Sequence, residues 1–480
     1  MQNSTTTSSD VLHRKLNSRL INMIAIGGSI GTGIFLASGN ALYLAGPGGV
    51  LTAYLITGVM VYFLMTSLGE MAAFMPSTGS FYIYASRFVD PALGYALGWN
   101  YWYNWAVTVA SEISAASLVM HFWFPHSPSF IWCAAFLFIV VSFNALSARG
   151  FGEAEYWFSF IKVSVIIIFI VAGTGILLGV TKYEAGGFKN WVIGDAPFHG
   201  GWLAVFSAFM IAGFSFQGTE LIGIAAGESH NPQETIPKAI KQIFWRILLF
   251  FVLSIFLISL LIPYTAKELA GSDVAMSPFT LVFSQYGIHF AASLINGVIL
   301  IAILSAGNSG MYASTRMLWY LARQRHVPAV FAKVNHRGVP IPALMITTLV
   351  AMLAFLTSLF GNGKVYFWLI SASSLSGFIA WLGIAISHYR FRKAYLQQGN
   401  DLKKLPYVAK GYPYAPLFSF TLCLIVIAGQ NYKAFAGNHI DWYGVIVSYI
   451  GLPIFLILWL GYKCLKKTKM VNLNECDFRI

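Results

Sequence analysis

The sequence predicts an all-α polytopic membrane protein, and three observations carry that prediction. Of 480 residues, 57% are hydrophobic and only 10% charged, where a soluble domain carries about 25% charged residues. Runs long enough to span a bilayer recur along the chain, about 12 by the roughly 20-residue criterion. Clear cases are Val50–Leu68, Phe130–Leu146, Val163–Val180, Ile247–Ile262, Ala343–Phe360 and Val445–Trp459. Finally, glycine clusters interrupt two of the most apolar stretches, at Gly27-Gly28-Ser29-Ile30-Gly31-Thr32-Gly33 and at Gly213-Phe214-Ser215-Phe216-Gln217-Gly218-Thr219-Glu220.

The first interrupted helix is expected over about Leu20 to Ala45, ending at the turn Gly46-Pro47-Gly48-Gly49. A second span ends near Glu70, with Pro76 in the following loop. The third is long and aromatic, from about Gly94 to His121; the fourth and fifth are separated by Arg149–Glu155. The sixth, about Gly201 to Gly227, carries the second interruption. A polar linker follows from Glu228 to Pro237, where Asn-Pro and Ile-Pro pairs favour turns. The seventh span is about Phe244–Ile262 and the eighth about Ala291–Leu318. The ninth and tenth reach His388, and the last two follow the connection Leu405–Pro416.

A net charge of +13 raises the question of nucleic acid, but its distribution answers it. From a cytoplasmic N-terminus, alternate loops and the tails carry about 24 basic residues against about 5 on the other side, the positive-inside asymmetry. Both termini are therefore expected in the cytoplasm. No nucleic-acid role follows, and anionic lipid is the natural partner of the excess. Met1 to Asp10 read as a short polar arm without a cleavable signal. The four cysteines (Cys133, Cys423, Cys464, Cys476) show no metal spacing. No Walker A, HExxH or metal-ligand cluster is present, so no enzyme, metal site or cofactor is expected, and an ion gradient is left as the energy source.

A spanning helix keeps its backbone hydrogen bonds internal, because lipid offers no replacement. Glycine clusters favour unwinding, which is tolerated at membrane depth where the backbone lines a cavity. Two interrupted segments in spans one and six point to a transporter of two repeats around a central site. Five spans per repeat place the second copy upside down relative to the first. That inverted five-plus-five arrangement with two extra helices is similar to the LeuT architecture. The expected organisation is an N-terminal tail 1–19, repeats 20–181 and 201–390, two further helices over 412–463 and a cytoplasmic tail 464–480.

At the first interruption, Ser29, Ile30, Gly31, Thr32 and Gly33 would present free N–H groups at a helix start, suited to a carboxylate. At the second, unwound carbonyls of Phe214, Ser215 and Phe216, with Thr219 beside them, would suit an ammonium group. Together they describe a site for a zwitterionic α-amino acid, while the same glycines also suit close helix packing. Tyr101, Trp105, Thr108 and Glu112 recur at spacings of four, three and four, on one stripe of span three. A carboxylate at mid-bilayer costs roughly 2.5–3.5 kcal/mol, so it faces a cavity or a partner. Glu112 is then a proton holder, a contact for a cationic substrate, or a structural acid. Glu220 closes the second interruption, as the contact for a substrate cation or as a clamp on unwound backbone. Lys162 lies in the apolar stretch Phe158–Val171, as a proton-coupling group or as a lysine snorkelling to the interface. Glu70 and Glu228, at span ends, read as gate or structural residues. His121 and His388 read as solvated or interfacial. Ser305, Asn308, Ser309 and Ser371 to Ser376 suit either a cavity wall or helix packing.

Several stretches resemble a known family. Ile24-Ala25-Ile26-Gly27-Gly28-Ser29-Ile30-Gly31-Thr32-Gly33-Ile34-Phe35 is similar to the first helix of amino-acid permeases. The same holds for Gly69-Glu70 with Pro76, for Phe151 to Phe158, for Phe214 to Glu220, and for Glu228, Asn231, Pro232, Ile236 and Pro237. The resemblance runs from Leu12 to about Lys469. It is to the amino-acid transporter branch of the amino acid–polyamine–organocation superfamily. Gly98 to Thr108, Phe214 to Glu228 and Leu304 to Arg316 further resemble bacterial lysine-specific permeases. The resemblance implies uptake of L-lysine with protons across a bacterial cytoplasmic (inner) membrane, driven by the proton-motive force. It places Lys162 where sodium-coupled relatives hold an ion, and it implies a membrane regulatory partner for some members. Rival expectations are another substrate (arginine, an aromatic amino acid or γ-aminobutyrate), an exchanger, or a lysine-binding sensor.

Overall fold

Most of the chain is helix, and the described residues contain no strand. The computed structural model describes residues 30–146, 148–180, 185–270, 277–435 and 439–479. Ser29 and the rest of the expected first half-helix lie outside the described residues, as does the N-terminal tail. A π-helical turn Gly33–Ala37 leads into α1 (Ser38–Phe74), followed by α2 (Ser80–Phe88) and α3 (Pro91–Met120). Next come α4 (Ser129–Leu146), α5 (Ala148–Leu177), α6 (Gly201–Phe216), α7 (Leu221–Ala225) and α8 (Pro232–Arg246). A π-helical turn Ile247–Leu253 joins α8 to α9 (Ser254–Leu261). Then follow α10 (Pro278–Gln285), α11 (His289–Arg323), α12 (Ile341–Ala351), α13 (Thr357–Phe360) and α14 (Asn362–Gln397). The chain closes with α15 (Tyr414–Gly429), α16 (Trp442–Tyr449) and α17 (Gly451–Lys466).

Eight described helices are long and apolar enough to cross a membrane, nine if the pair α16 and α17, bent by 52°, forms one span. About twelve spans were expected, and three local features account for the difference. Residues 33–74 count once although Gly46, at φ +72°, and Pro47 kink them. The freed Gly48 and Gly49 N–H groups donate to the Pro197 carbonyl at 2.8 and 3.3 Å. Helix α3 has the length, 30 residues, but its tyrosines, tryptophans and asparagines lower its hydropathy. Helix α15 has only 16 residues.

Other expected boundaries move too. The linker expected between spans four and five is the start of α5, and the one expected after Glu228 is largely α8. Pro232 occupies the first helical position, where its missing N–H costs nothing. Pro237 lies one turn further in. Helix α14 continues past His388, which is 1% exposed rather than interfacial, its ring against Phe391 and Tyr412.

Helix α3 is the spine: it packs most extensively against α11 and α14, while α1 packs against α6. Its start is set by Asp90, whose Oδ1 accepts the Ala92 N–H at 2.9 Å, with Pro91 at the first helical position. One end of the bundle is tied by buried charges. Glu70 accepts from both Nε and Nη2 of Arg392 on α14 and from the Ala409 N–H. Glu228 accepts from Arg316 Nε of α11 at 3.2 Å, and that guanidinium lies 4.1 Å from the Tyr312 ring centroid. Both residues expected as gate or structural groups thus form ion pairs between segments far apart in sequence.

The segment after α17 docks on this same end. Val471 N–H donates to the Val89 carbonyl at 2.9 Å, and Gln398 Nε2 donates to the carbonyls of Leu473 and Cys476. Phe478 enters an aromatic cluster, with ring centroids 5.6 Å from Phe88, 5.7 Å from Phe391 and 5.3 Å from Tyr395. Burying such a ring contributes about 2 kcal/mol. Phe478→Ala is therefore expected to speed trypsin cleavage at Lys469 roughly 20- to 30-fold, at about 1.4 kcal/mol per decade, read by mass spectrometry. Equal cleavage rates would show that the ring does not hold the segment.

Candidate functional site

Helix α6 ends at Phe216 and α7 begins at Leu221, so Gln217 to Glu220 form a break inside a buried segment. Gln217 is extended (φ −58°, ψ 146°) and Gly218 has φ +94°, a conformation that glycine reaches without a Cβ penalty. The break lies a few residues later than the expected unwinding at Phe214, Ser215 and Phe216. Those residues are the last turn of α6, where Phe214 and Phe216 carbonyls already accept the Gln217 and Thr219 N–H groups at 3.2 and 3.3 Å. The reason is a division of labour between glycines. Gly213 is needed for packing, since a Cβ there would stand 2.4 Å from the Phe378 ring, whereas Gly218 carries the turn.

Freed backbone donors need partners at this depth. Glu220 supplies one: its carboxylate accepts the Gly218 N–H at 3.2–3.3 Å. It also accepts from Tyr101 OH of α3 and Trp381 Nε1 of α14, each at 3.3 Å, and from Thr219 Oγ1 at 3.5 Å. Thr219 Oγ1 further donates to the Phe216 carbonyl at 3.0 Å. All of these donors are neutral, and all contacts to the carboxylate exceed the 2.7–2.9 Å typical of ionic hydrogen bonds.

The start of α1 approaches the same place. Ile30, Gly31, Thr32 and Gly33 are buried, and a Cβ on Gly33 would lie 2.4 Å from Ser215 Cα. Ser215 Oγ donates to the Ile211 carbonyl at 2.8 Å and lies 2.7 Å from Tyr54 OH. Thr32 Oγ1 donates to Glu112 Oε1 at 3.0 Å, while Glu112 Oε2, though buried, has no hydrogen-bond partner. The stripe on α3 therefore reaches Glu220 through Tyr101 and Thr32 through Glu112, eleven residues or about 16 Å further along the axis. Between them lies a small cavity of about 10 Å³, lined by Gly31, Gly33, Trp105, Thr108, Glu112 and Gln217 among others. That is room for about one water, far below the roughly 300–1,000 Å³ of ligand sites, so the site is closed in this conformation. Phe214 lines it, whereas the Phe216 ring packs 4.4 Å from Phe251 and 5.9 Å from Tyr54.

Three participants were not anticipated. Gln217 joins Thr108, Asn104 and Ser373 in one network: Gln217 Nε2 donates to the Ser373 carbonyl, and Ser373 Oγ lies 2.6–3.0 Å from the other three side chains. An amide inside an apolar break was the available signal. Trp381 binds Glu220 from 161 residues away, which no local pattern announces. Glu155 is the partner of Lys162. Lys162 does not snorkel: it is fully buried, and its Nζ donates to Glu155 Oε1 at 3.1 Å and Ser305 Oγ at 2.8 Å. Ser305 Oγ in turn reaches Glu155 Oε2 at 2.7 Å. Spacing of seven on one helix puts both charges on one face. Asn308 accepts from Asn144 of α4 at 2.8 Å, a packing contact.

Removing one member of a buried ion pair strands the other, at about 3–5 kcal/mol, whereas replacing both with apolar residues is often near neutral. Lys162→Met alone is expected to lower the thermal midpoint of the detergent-solubilised protein, and Lys162→Met with Glu155→Leu to restore most of it. Additive losses, read by intrinsic fluorescence, would contradict the pairing.

Comparison with known proteins adds the following. Residues 21–475 match the amino acid permease family. The chain is 56% identical over 477 residues to a lysine-specific permease of Escherichia coli (strain K12), covering 98% of each. It is 49% identical to a lysine-specific permease of Lactococcus lactis, covering 99% of this chain and 94% of that one. It is also 45% identical to a histidine permease of the same bacterium, covering 97% of each.

Proposed function

We propose that the protein, which belongs to the amino acid permease family, imports L-lysine by proton symport through alternating access. It is a multi-pass membrane transporter rather than an enzyme, and its all-α fold agrees with the LeuT-like architecture of that family. The observation that supports lysine most directly is the near full-length similarity to lysine-specific permeases from two bacteria. The chemistry of the break supports it as well, because Glu220 is a buried carboxylate held only by neutral donors.

In this reading the substrate carboxylate meets Ser29 to Gly33 and its α-amine the backbone around Phe214 to Thr219. Tyr101, Trp105 and Phe216 wall the side chain, and Glu220 takes the ε-ammonium. A carboxylate arriving beside Thr32 meets Glu112, and two carboxylates sharing a site do not both ionise cheaply. A proton on Glu112 removes that conflict. Lys162 exchanges the coupled proton, with Glu155 and Ser305 as its partners when charged. No cofactor is needed: lysine with one proton carries two charges, about 4.6 kcal/mol per 100 mV. At about 1.4 kcal/mol per decade that sustains roughly a thousandfold accumulation. In this reading the protein sits in a bacterial inner membrane with both termini cytoplasmic, supported by the bacterial relatives and by the asymmetry of basic residues, and it has a membrane regulatory partner as some members of the family do.

The similarity to a histidine permease favours, as a second reading, another amino acid on the same scaffold, which uptake competition separates from lysine. Radiolabelled lysine uptake into proteoliposomes tests the first reading. Wild type is expected to accumulate lysine when an inward proton gradient is imposed. Lys162→Ala is expected to lose at least tenfold of that accumulation, about 1.4 kcal/mol, while still binding lysine. Equal accumulation by both would remove Lys162 from coupling. Uptake that needs internal amino acid and ignores the gradient would make the protein an exchanger, and binding without accumulation would make it a sensor.

A further inference from the structure

Two stripes of side chains border a groove beside α1. Leu55, Val59, Tyr62 and Thr66 recur at spacings of four, three and four along α1. Lys241, Phe244, Leu248 and Val252 recur at spacings of three, four and four along α8 and the π-helical turn after it. The stripes meet edge to face where the Tyr62 and Phe244 ring centroids lie 5.8 Å apart. Two glycines let the helices touch below: a Cβ on Gly58 would stand 2.7 Å from Ile247, and one on Gly69 would stand 2.7 Å from Ile240. Above that floor Leu55, Val59, Phe244 and Leu248 remain 39–47% exposed. The apolar part of the groove has a volume of about 340 Å³. It shares Tyr62 and Phe63 with a second cavity of about 330 Å³, whose lining adds Thr66, Lys241, Tyr407 and Lys410. Both volumes fall within the roughly 300–1,000 Å³ of ligand sites.

The fold holds the two lysines at this mouth. Glu70 accepts the Ala409 N–H at 2.6 Å, which fixes the loop at the residue before Lys410. A Cβ on Gly69 would also lie 3.6 Å from Tyr407, so this one glycine lets both the loop and α8 close on α1. Among the described residues no acidic side chain lines either cavity, and neither lysine forms an ion pair. Two cations and two phenols thus share a mouth that lacks an anion. From Leu55 to Thr66 the groove runs eleven residues, about 16 Å. That is the depth of one leaflet, half of a hydrocarbon core about 30 Å thick. Trp245 and Tyr414, 61% and 79% exposed, flank it in sequence as the aromatics of a headgroup-level belt do.

We propose that this groove binds one anionic phospholipid of the surrounding bilayer, its phosphate held by Lys241 and Lys410 and one acyl chain laid along the two stripes. Bilayer tails are as apolar as the groove, so the tail supplies fit and the headgroup supplies selection. In the proposed orientation the mouth faces the cytoplasmic leaflet, whose anionic headgroups attract basic groups.

The test is native mass spectrometry of the detergent-solubilised protein, reading the dissociation constant of the first lipid bound for phosphatidylglycerol and for phosphatidylcholine. Wild type is expected to prefer phosphatidylglycerol about tenfold, and Lys241→Gln with Lys410→Gln to reduce that preference to about threefold or less. Lys403→Gln with Lys404→Gln, a basic pair outside the groove lining, is expected to keep the wild-type preference. Val59→Trp fills the groove from an exposed position and is expected to weaken phosphatidylglycerol roughly tenfold with both lysines in place. Equal binding of the two lipids by wild type would overturn the proposal. So would equal losses from the two lysine pairs, which would make the attraction a diffuse surface effect, or unchanged binding by Val59→Trp. Displacement of the lipid by an equal concentration of inorganic phosphate would also overturn it, because the occupant would then be a soluble anion.

Discussion

Everything at the centre of this protein depends on one requirement: a backbone donor freed at membrane depth must find an acceptor within the chain. Helix α6 stops at Phe216, Gly218 turns the chain, and the freed Gly218 N–H is taken by Glu220 two residues on. That local solution places a carboxylate where water is scarce. Because a carboxylate has more lone pairs than one N–H can use, it gathers Tyr101 from α3 and Trp381 from α14. The helix break, the central spine and the longest packing partner of that spine thus meet on one side chain. Under the proposed function, the group that stabilises the backbone also offers a site for the substrate cation.

The other buried charges follow the same logic at different depths. Lys162 and Glu155 neutralise each other on one face of α5 and borrow Ser305 from α11. Glu70 with Arg392, and Glu228 with Arg316, join helix ends far apart in sequence. These pairs tie helices together while cancelling each other's charge. Glu112, with one oxygen bound to Thr32 and the other unspent, and Arg246, with no partner, are different. Glu112 lines the cavity beside the break.

Much of this was legible in the sequence because it depends on short-range rules. Hydrophobic runs mark helices, and spacings of three and four put Tyr101, Trp105, Thr108 and Glu112 on one stripe, which the structure shows joining Glu220 to Thr32. The glycine cluster announced an interruption, but not its register. Composition does not separate Gly213, which makes room for Phe378, from Gly218, which supplies the turn. What depends on distant partners was not legible. The burial of Lys162 rests on Ser305, 143 residues away, and the docking of Phe478 rests on rings from three other segments. Glu155 and Lys162 share a face at a spacing of seven, so that pair was readable, although only the fold shows the face to be buried.

The central claim is that Glu220 both clamps the break and receives the substrate's side-chain ammonium. Calorimetric binding of lysine and of norleucine, which lacks the ε-amine, to wild type and Glu220→Gln tests it most directly. The account predicts that wild type prefers lysine at least a hundredfold, about 2.7 kcal/mol at 1.4 kcal/mol per decade, and that Glu220→Gln brings the two ligands within a few-fold of each other. A Glu220→Gln protein that keeps the full preference for lysine would contradict it, leaving Glu220 as a backbone clamp alone.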